Sequence, residues 1–216
     1  MDVYDLPEYM LQARPEGKAV LYIVRHGNTV LNDAEDEKLR GWSDIPLNEA
    51  GRQSAHEAAQ YLTSTGITDV YSSDLRRAAE TAEIIGRATN IRPKLDFELR
   101  PWDVGVLAEF PIKDILDQLT FYTVTEPNEP VKGGERYNDF YRRAKQAIYK
   151  YMIKALRYDK PIVLVTHSRI LYMLEHVLTH GKKPIKYQGG PPPGSVLQLA
   201  FGDKISVQQV HPHVEN

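Results

Sequence analysis

The stretch Ala19-Val20-Leu21-Tyr22-Ile23-Val24-Arg25-His26-Gly27 decides the fold. Its first six residues form an unbroken apolar run with no polar alternation. Such a run reads as a strand covered on both faces, the habit of a parallel sheet. A second run of the same kind, Ile162-Val163-Leu164-Val165, continues into Thr166-His167-Ser168. Each run therefore ends by presenting a histidine just past the carboxyl end of a buried strand. In open α/β sheets, ligands bind at that edge.

Working outward, Ile67 to Tyr71 and Ser195 to Ala200 are weaker strand candidates. A last strand at Ile205 to Val210 is placed to pair with the latter through a turn at Phe201-Gly202-Asp203-Lys204. Helical periodicity separates these runs. Tyr137, Phe140, Tyr141, Ala144, Ile148, Tyr151, Met152 and Ala155 recur at three- and four-residue steps, an apolar stripe that faces a core. Asn48 to Leu62 and Leu75 to Ala88 repeat the pattern with more polar residues, as half-exposed helices do. Strands alternating with helices predict a three-layer α/β/α sandwich with a mainly parallel central sheet. Irregular stretches at Asn32 to Pro46, Arg100 to Pro111, Thr123 to Glu135 and Lys182 to Gly194 are long for a compact domain, and such loops usually cover a site.

The 216 residues are 42% hydrophobic and 26% charged, as in ordinary globular proteins. No repeat or linker divides them, so the expectation is one domain over residues 1–216, with 1–18 as an N-terminal arm. Net charge is −2 with both signs interspersed, which argues against nucleic acid as a partner. Cysteine is absent, which excludes disulfides and thiol catalysis. The acidic N-terminus lacks the apolar core of a signal peptide. No apolar run approaches the ~20 residues that span a bilayer. A cytoplasmic protein with no membrane partner is expected. A homodimer is left open.

Two imidazoles at one sheet edge can bind a metal, move protons or supply a nucleophile. Their neighbours choose among these. Arg25 and Arg77 would repel a cation but clamp phosphate or carboxylate with forked hydrogen bonds. A zinc site would need further ligands at short spacing, and none is visible, so no metal is expected. Gly27, without a side chain, would let a phosphate approach the backbone.

At these residues the chain resembles the histidine phosphatase superfamily, the phosphoglycerate mutase-like proteins. Leu21-Tyr22-Ile23-Val24-Arg25-His26-Gly27-Asn28-Thr29 and Asn32 resemble its opening signature. The resemblance continues through Gly41-Trp42-Ser43-Asp44-Ile45-Pro46-Leu47-Asn48 with Gly51, and through Ser72-Ser73-Asp74-Leu75-Arg76-Arg77-Ala78 with Thr81-Ala82. Gly133-Gly134-Glu135 and Val165-Thr166-His167 close it, in the family's order. The resemblance implies that His26 takes the phosphoryl group. It implies that Arg25, Arg77 and His167 complete the phosphate pocket and that Asn32 adds a contact. Ser168, directly after His167, is a further candidate for binding substrate.

The implied activity is hydrolysis of a phosphomonoester, a phosphorylated small molecule, through a phosphohistidine and without a cofactor. The alternatives are mutase-type phosphoryl transfer and a phosphate-binding regulatory module with reduced turnover. Two departures bear on this choice. In Leu99-Arg100-Pro101-Trp102-Asp103-Val104-Gly105, Pro101 stands where the family usually has a proton-donating glutamate. Asp103 is the nearest replacement, with Glu98 and Glu109 behind it. Ser168-Arg169 follows His167 where glycine is common, so Arg169 either adds positive charge or caps the exterior. His56, His176, His180, His211 and His213 read as packing or surface residues, as does the Lys182-Lys183 pair.

Overall fold

The computed structural model describes residues 2–5, 19–32, 37–158, 160–179 and 190–211. Most of the N-terminal arm, His180, His213 and the first eight residues of the 182–194 loop lie outside the described residues. The strands are β1 Asp2–Asp5, β2 Val20–Arg25, β3 Asp69–Ser72, β4 Lys94–Leu95, β5 Ile162–Thr166, β6 Val196–Phe201 and β7 Lys204–His211. They form one sheet in the order β1-β7-β6-β2-β5-β3-β4. The β2–β5, β5–β3 and β3–β4 pairs are parallel. An antiparallel hairpin, β6–β7, turns at Gly202-Asp203 and joins β2 on the other side. Strand β1 adds an antiparallel edge against β7, inside the stretch read from sequence as an arm.

Among the described residues, four helices of more than ten residues cover the sheet: α1 Glu49–Thr63, α2 Arg76–Thr89, α3 Tyr137–Tyr158 and α4 Ser168–Leu178. The two apolar strands explain why both faces are covered. Successive residues of a strand point to opposite faces. Leu21 and Ile23 of β2 join Ile162 and Leu164 of β5 in one core, with Phe140, Ala144, Ile148 and Met152 of α3 and Met173 of α4. Tyr22, Val24, Val163 and Val165 enter the other, with Ala58 and Leu62 of α1 and Ala78, Ala82 and Ile85 of α2. Either strand on a half-exposed sheet would leave one of these sets in water, at ~1.5–3 kcal/mol per large side chain. The α/β/α layering follows from that burial.

Local chemistry fixes the helix ends. Asn48 caps α1, its side chain accepting from the Gly51 amide at 2.8 Å. Helix α2 has no cap from its own Leu75. Asp44, in the loop before α1, accepts from the Arg76 amide at 2.7 Å, tying loop 41–47 to the start of α2. Asn90 ends α2 in the left-handed conformation, φ 57°, which asparagine tolerates better than most residues. Helix α4 starts directly at His167, a start that the sequence reading did not mark.

The region from Gly105 to Thr125 overlaps the irregular stretches expected at Arg100 to Pro111 and Thr123 to Glu135, but it is built of helical turns. Short helical turns at Gly105–Leu107, Ile112–Ile115, Leu116–Thr120 and Phe121–Thr125 fill it. Each is too short to show a helical stripe in the sequence, and only Ile112, Ile115 and Leu119 are buried hydrophobics there.

Candidate active site

Strands β2 and β5 are adjacent and parallel, with Arg25 opposite Thr166. Their carboxyl ends therefore deliver His26 and His167 side by side, with ring centroids 5.0 Å apart. Both are 2% exposed. The His26 backbone amide donates to the Thr166 carbonyl at 2.9 Å, so the ladder continues one residue past the strands.

Nδ1 of His26 lies 2.7 Å from the Gly27 carbonyl oxygen. A carbonyl only accepts, so Nδ1 carries the proton and Nε2 keeps its lone pair. Burial, with the nearby charges of Arg77, Arg25 and Arg40, holds the His26 pKa well below the usual histidine value. His26 is a neutral imidazole with an available Nε2, the state a nucleophile requires. Burial first, then Arg77, His26, Arg40 and Arg25, lowers His167 in the same way. Unlike His26, His167 has no hydrogen-bond partner at either ring nitrogen among the described residues. Two polar atoms buried without partners point to a ligand that supplies them.

Arginines surround the pair. Arg77 is 1% exposed. It donates to the carbonyls of Ser43 at 2.7 Å and Gly41 at 2.9 Å, which fixes the loop after Arg40. Its Nε has no partner among the described residues. Arg25 donates to the Pro191 carbonyl at 2.7 Å and likewise leaves Nε unmatched. Burial, reinforced by Arg40, pushes Arg77 down to about 9 and Arg25 to about 10. Both remain charged at neutral pH. The cluster holds buried cations that repel one another, and an anion would relieve them.

A cavity of about 50 Å³ opens over the histidines. Since ~10–15 Å³ on this measure holds one water, it accommodates a few water-sized atoms, as a phosphoryl group presents. His26, His167, Arg77, Ser168 and Arg169 line it, with Lys38, Arg40, Pro101, Trp102 and Tyr172. Ser168 and Arg169 occupy the first turn of α4, where orphan amides and the helix dipole favour negative charge. Among the described residues, Glu37 is the one carboxylate in the lining.

The structure thus brings His26, His167, Arg77 and Ser168 to one cavity, with Arg25 beside them. Three expected residues lie elsewhere. Gly27 does not line the cavity: a Cβ there would fall 2.2 Å from the Gly51 carbonyl oxygen, so glycine is required by the packing of the strand end on α1. Its amide donates to Thr81 Oγ1 at 3.2 Å. Asn32 accepts from the amide and hydroxyl of Thr29 at 3.1 and 3.0 Å, and so shapes the turn after β2. Asp103 is also absent from the lining. Its carboxylate accepts from the Gly105 amide at 3.2 Å, a local turn bond. Of the alternatives, Glu98 pairs with Lys150 at 2.8 Å, and Glu109 is exposed at a positive φ of 66°.

Pro101 does line the cavity, and its loop is gripped from several sides. Arg143 donates to the carbonyls of Glu98, Arg100 and Pro101 and to Glu135 at 2.6 Å. Glu135 in turn accepts from the Asp103 amide at 3.0 Å. Trp42 Nε1 donates to the Pro101 carbonyl at 2.8 Å, and Trp102 Nε1 to the Glu135 carbonyl at 3.0 Å. Glu135, the end of the Gly133-Gly134-Glu135 motif, therefore holds this loop in place.

Sequence reasoning missed Arg40 and Glu37. An Arg and a Glu in an irregular polar stretch read as solvated, although Gly41 beside Arg40 signalled a tight turn. Among the described residues no group of three or more His, Cys, Asp or Glu side chains is placed to hold a metal ion. No helix there is long and apolar enough to cross a membrane.

Comparison with known proteins agrees with this geometry. A region of the probable phosphoglycerate mutase GpmB of Yersinia pestis is 42% identical over 95 residues, 44% of this chain and 43% of that protein. The matched stretch thus spans less than half of that relative's length. A mycobacterial glucosyl-3-phosphoglycerate phosphatase structure superposes with a TM-score of 0.66 at 26% identity, covering 88% of this chain and 96% of that one. A phosphoglycerate mutase from Bacillus anthracis shares the fold, with a TM-score of 0.72 at 24% identity over 90% of this chain and 93% of its own. The model of the histidine phosphatase superfamily (branch 1) matches residues 21–206, and the chain belongs to that superfamily.

Proposed function

We propose that the protein hydrolyses a phosphomonoester through a phosphohistidine at His26. The observation that carries this reading is the neutral His26 imidazole, its Nδ1–H held by the Gly27 carbonyl and its Nε2 left available beneath an arginine-lined cavity. Nε2 attacks phosphorus as the ester P–O bond breaks, and the leaving oxygen departs as an anion that takes its proton from water. The Gly27 carbonyl faces the Nδ1–H of the phosphorylated ring and favours the positive charge that develops there. Arg25, Arg77 and His167 face the equatorial oxygens, whose charge must be balanced in a phosphoryl transfer. Water then attacks the phosphohistidine, releasing phosphate and restoring the imidazole.

Proline has no proton to give to the leaving oxygen, and Asp103 is turned toward Gly105. Glu37 is engaged by Arg40 at 3.0 Å. The reading therefore favours esters with acidic leaving groups, which need little protonation. The second reading, a mutase, is supported by the 42% identity to a probable mutase over 95 residues. The fate of the phosphoryl group separates them. A single turnover with a ³²P-labelled ester should send the label into inorganic phosphate at the same rate with or without an acceptor alcohol. Transfer of most of the label to an acceptor would establish the mutase reading instead. A chain that binds the ester and releases no label would be a binding module.

A further inference from the structure

We infer that Arg40 is the seat of a second anionic group on the substrate, and that Glu37 occupies that seat when substrate is absent. The inference rests on the phosphoryl-transfer reading of the same cavity and narrows its substrate to phosphomonoesters that carry another negative charge a few atoms away.

Arg40 lies in the cavity lining, and its side chain is 9% exposed. One terminal nitrogen, Nη2, donates to Glu37 Oε1 at 3.0 Å. The other, Nη1, is buried and has no hydrogen-bond partner among the described residues. Leaving such a guanidinium donor unmatched is costly, and an arginine fork is shaped to hold a carboxylate or phosphate with both nitrogens. Arg40 does not support the fold in the way Arg77 does: Arg77 grips two loop carbonyls, whereas the side-chain hydrogen bond of Arg40 among the described residues goes to a carboxylate three residues away.

Charge balance points the same way. Among the described residues of the lining, Lys38, Arg40, Arg77 and Arg169 stand against one carboxylate, Glu37. A phosphoryl group brings a charge of about −1.5 to −2 at neutral pH. With Glu37 it still leaves the described lining residues with a positive sum, before Arg25 is considered. Arg40 also acts across the whole site, since its charge depresses the pKa values of Arg25, Arg77, His26 and His167. A second anion on Arg40 would satisfy Nη1 and relieve that repulsion. Glu37, 46% exposed at its side chain, can swing into solvent and release Nη2.

Binding of two non-hydrolysable phosphonates of equal length tests this without turnover. 3-Phosphonopropionate carries a terminal carboxylate, and propylphosphonate ends in a methyl group. By titration calorimetry the full chain should bind the former at least about tenfold more tightly, the scale of one charge-assisted hydrogen bond. Arg40→Met should cut that ratio to below about threefold. Glu37→Gln should widen it, because the internal competitor is gone. If Arg40→Met does not fold, the ratio in the parent and its change in Glu37→Gln decide the matter. A parental ratio near one would overturn the inference. So would an unchanged ratio in folded Arg40→Met, or a ratio that Glu37→Gln narrows or leaves unchanged. Binding of neither phosphonate would overturn it as well. Labelling of His26 by a phosphoryl donor is independent of all these outcomes, so a failed second-anion site and a failed phosphoryl-transfer reading are told apart.

Discussion

The ends of β2 and β5 are alike in topology and opposite in bonding. Each carries a buried histidine at the carboxyl edge of a parallel strand. His26 is committed: its Nδ1–H is held by the carbonyl of the next residue, which aims Nε2. His167 is uncommitted, with two buried ring nitrogens and no partner among the described residues. The difference follows from what comes next in the chain. After His26 the chain turns away through Gly27, and that residue's carbonyl comes back to the ring. After His167 the chain enters α4 at once, so the carbonyl of the next residue, Ser168, runs along the helix axis instead of back to the ring. Equal placement therefore yields two environments, a ring fixed at Nδ1 and a ring with both nitrogens unmatched, which the proposed mechanism uses as nucleophile and donor.

The largest effect that sharpens this contrast concerns His167. If His167 donates to the transferring phosphoryl group, as the proposed mechanism has it, His167→Ala should lower kcat by ~10²–10³. Phosphoenzyme should still form, more slowly, and a rapid-quench time course would show both points. A variant as fast as the parent would mean that His167 does not contact the reacting group.

A smaller effect appears in stability. Burial first, then Arg77, holds the His167 pKa well below 6.5. The folded protein keeps the ring neutral, while the unfolded chain takes up a proton as pH falls below about 6.5. The unfolded state then binds more protons, so this contribution is lost as pH drops. Between pH 6.5 and 5.5 the parent should lose about 1 kcal/mol more than His167→Ala, as one neutral buried histidine requires. Urea unfolding of both proteins at the two pH values measures this, and equal losses would contradict a buried neutral His167.

How much of this was legible in the sequence follows the same division. Strands β2 and β5 were plain because continuous burial on two faces leaves an unbroken apolar run. Their histidines were plain because the strand ends are where such a sheet binds ligands. Helix α3 announced itself by a stripe that spans most of its 22 residues. Helix α4 did not, because it is buried nearly all round and its Ser168-Arg169-Ile170-Leu171-Tyr172-Met173 start shows no period. The loops were opaque for a different reason. Arg40, Glu37 and Asp103 are polar residues in irregular backbone, where only the fold decides which side chains turn inward. Asp103 was the nearest carboxylate in sequence, and the turn directs it to Gly105. Gly27 was identified as special, but the reason is the Gly51 backbone behind it.

The central claim is that the committed histidine, and not the waiting one, carries the phosphoryl group. Acid quench would destroy a phosphohistidine, so the protein should be quenched in alkali after mixing with a ³²P-labelled aryl phosphate, digested, and its labelled peptide sequenced. The label should be alkali-stable and acid-labile, sit at His26, and vanish in His26→Ala. Label on His167 or on a serine, or full labelling of His26→Ala, would contradict the account.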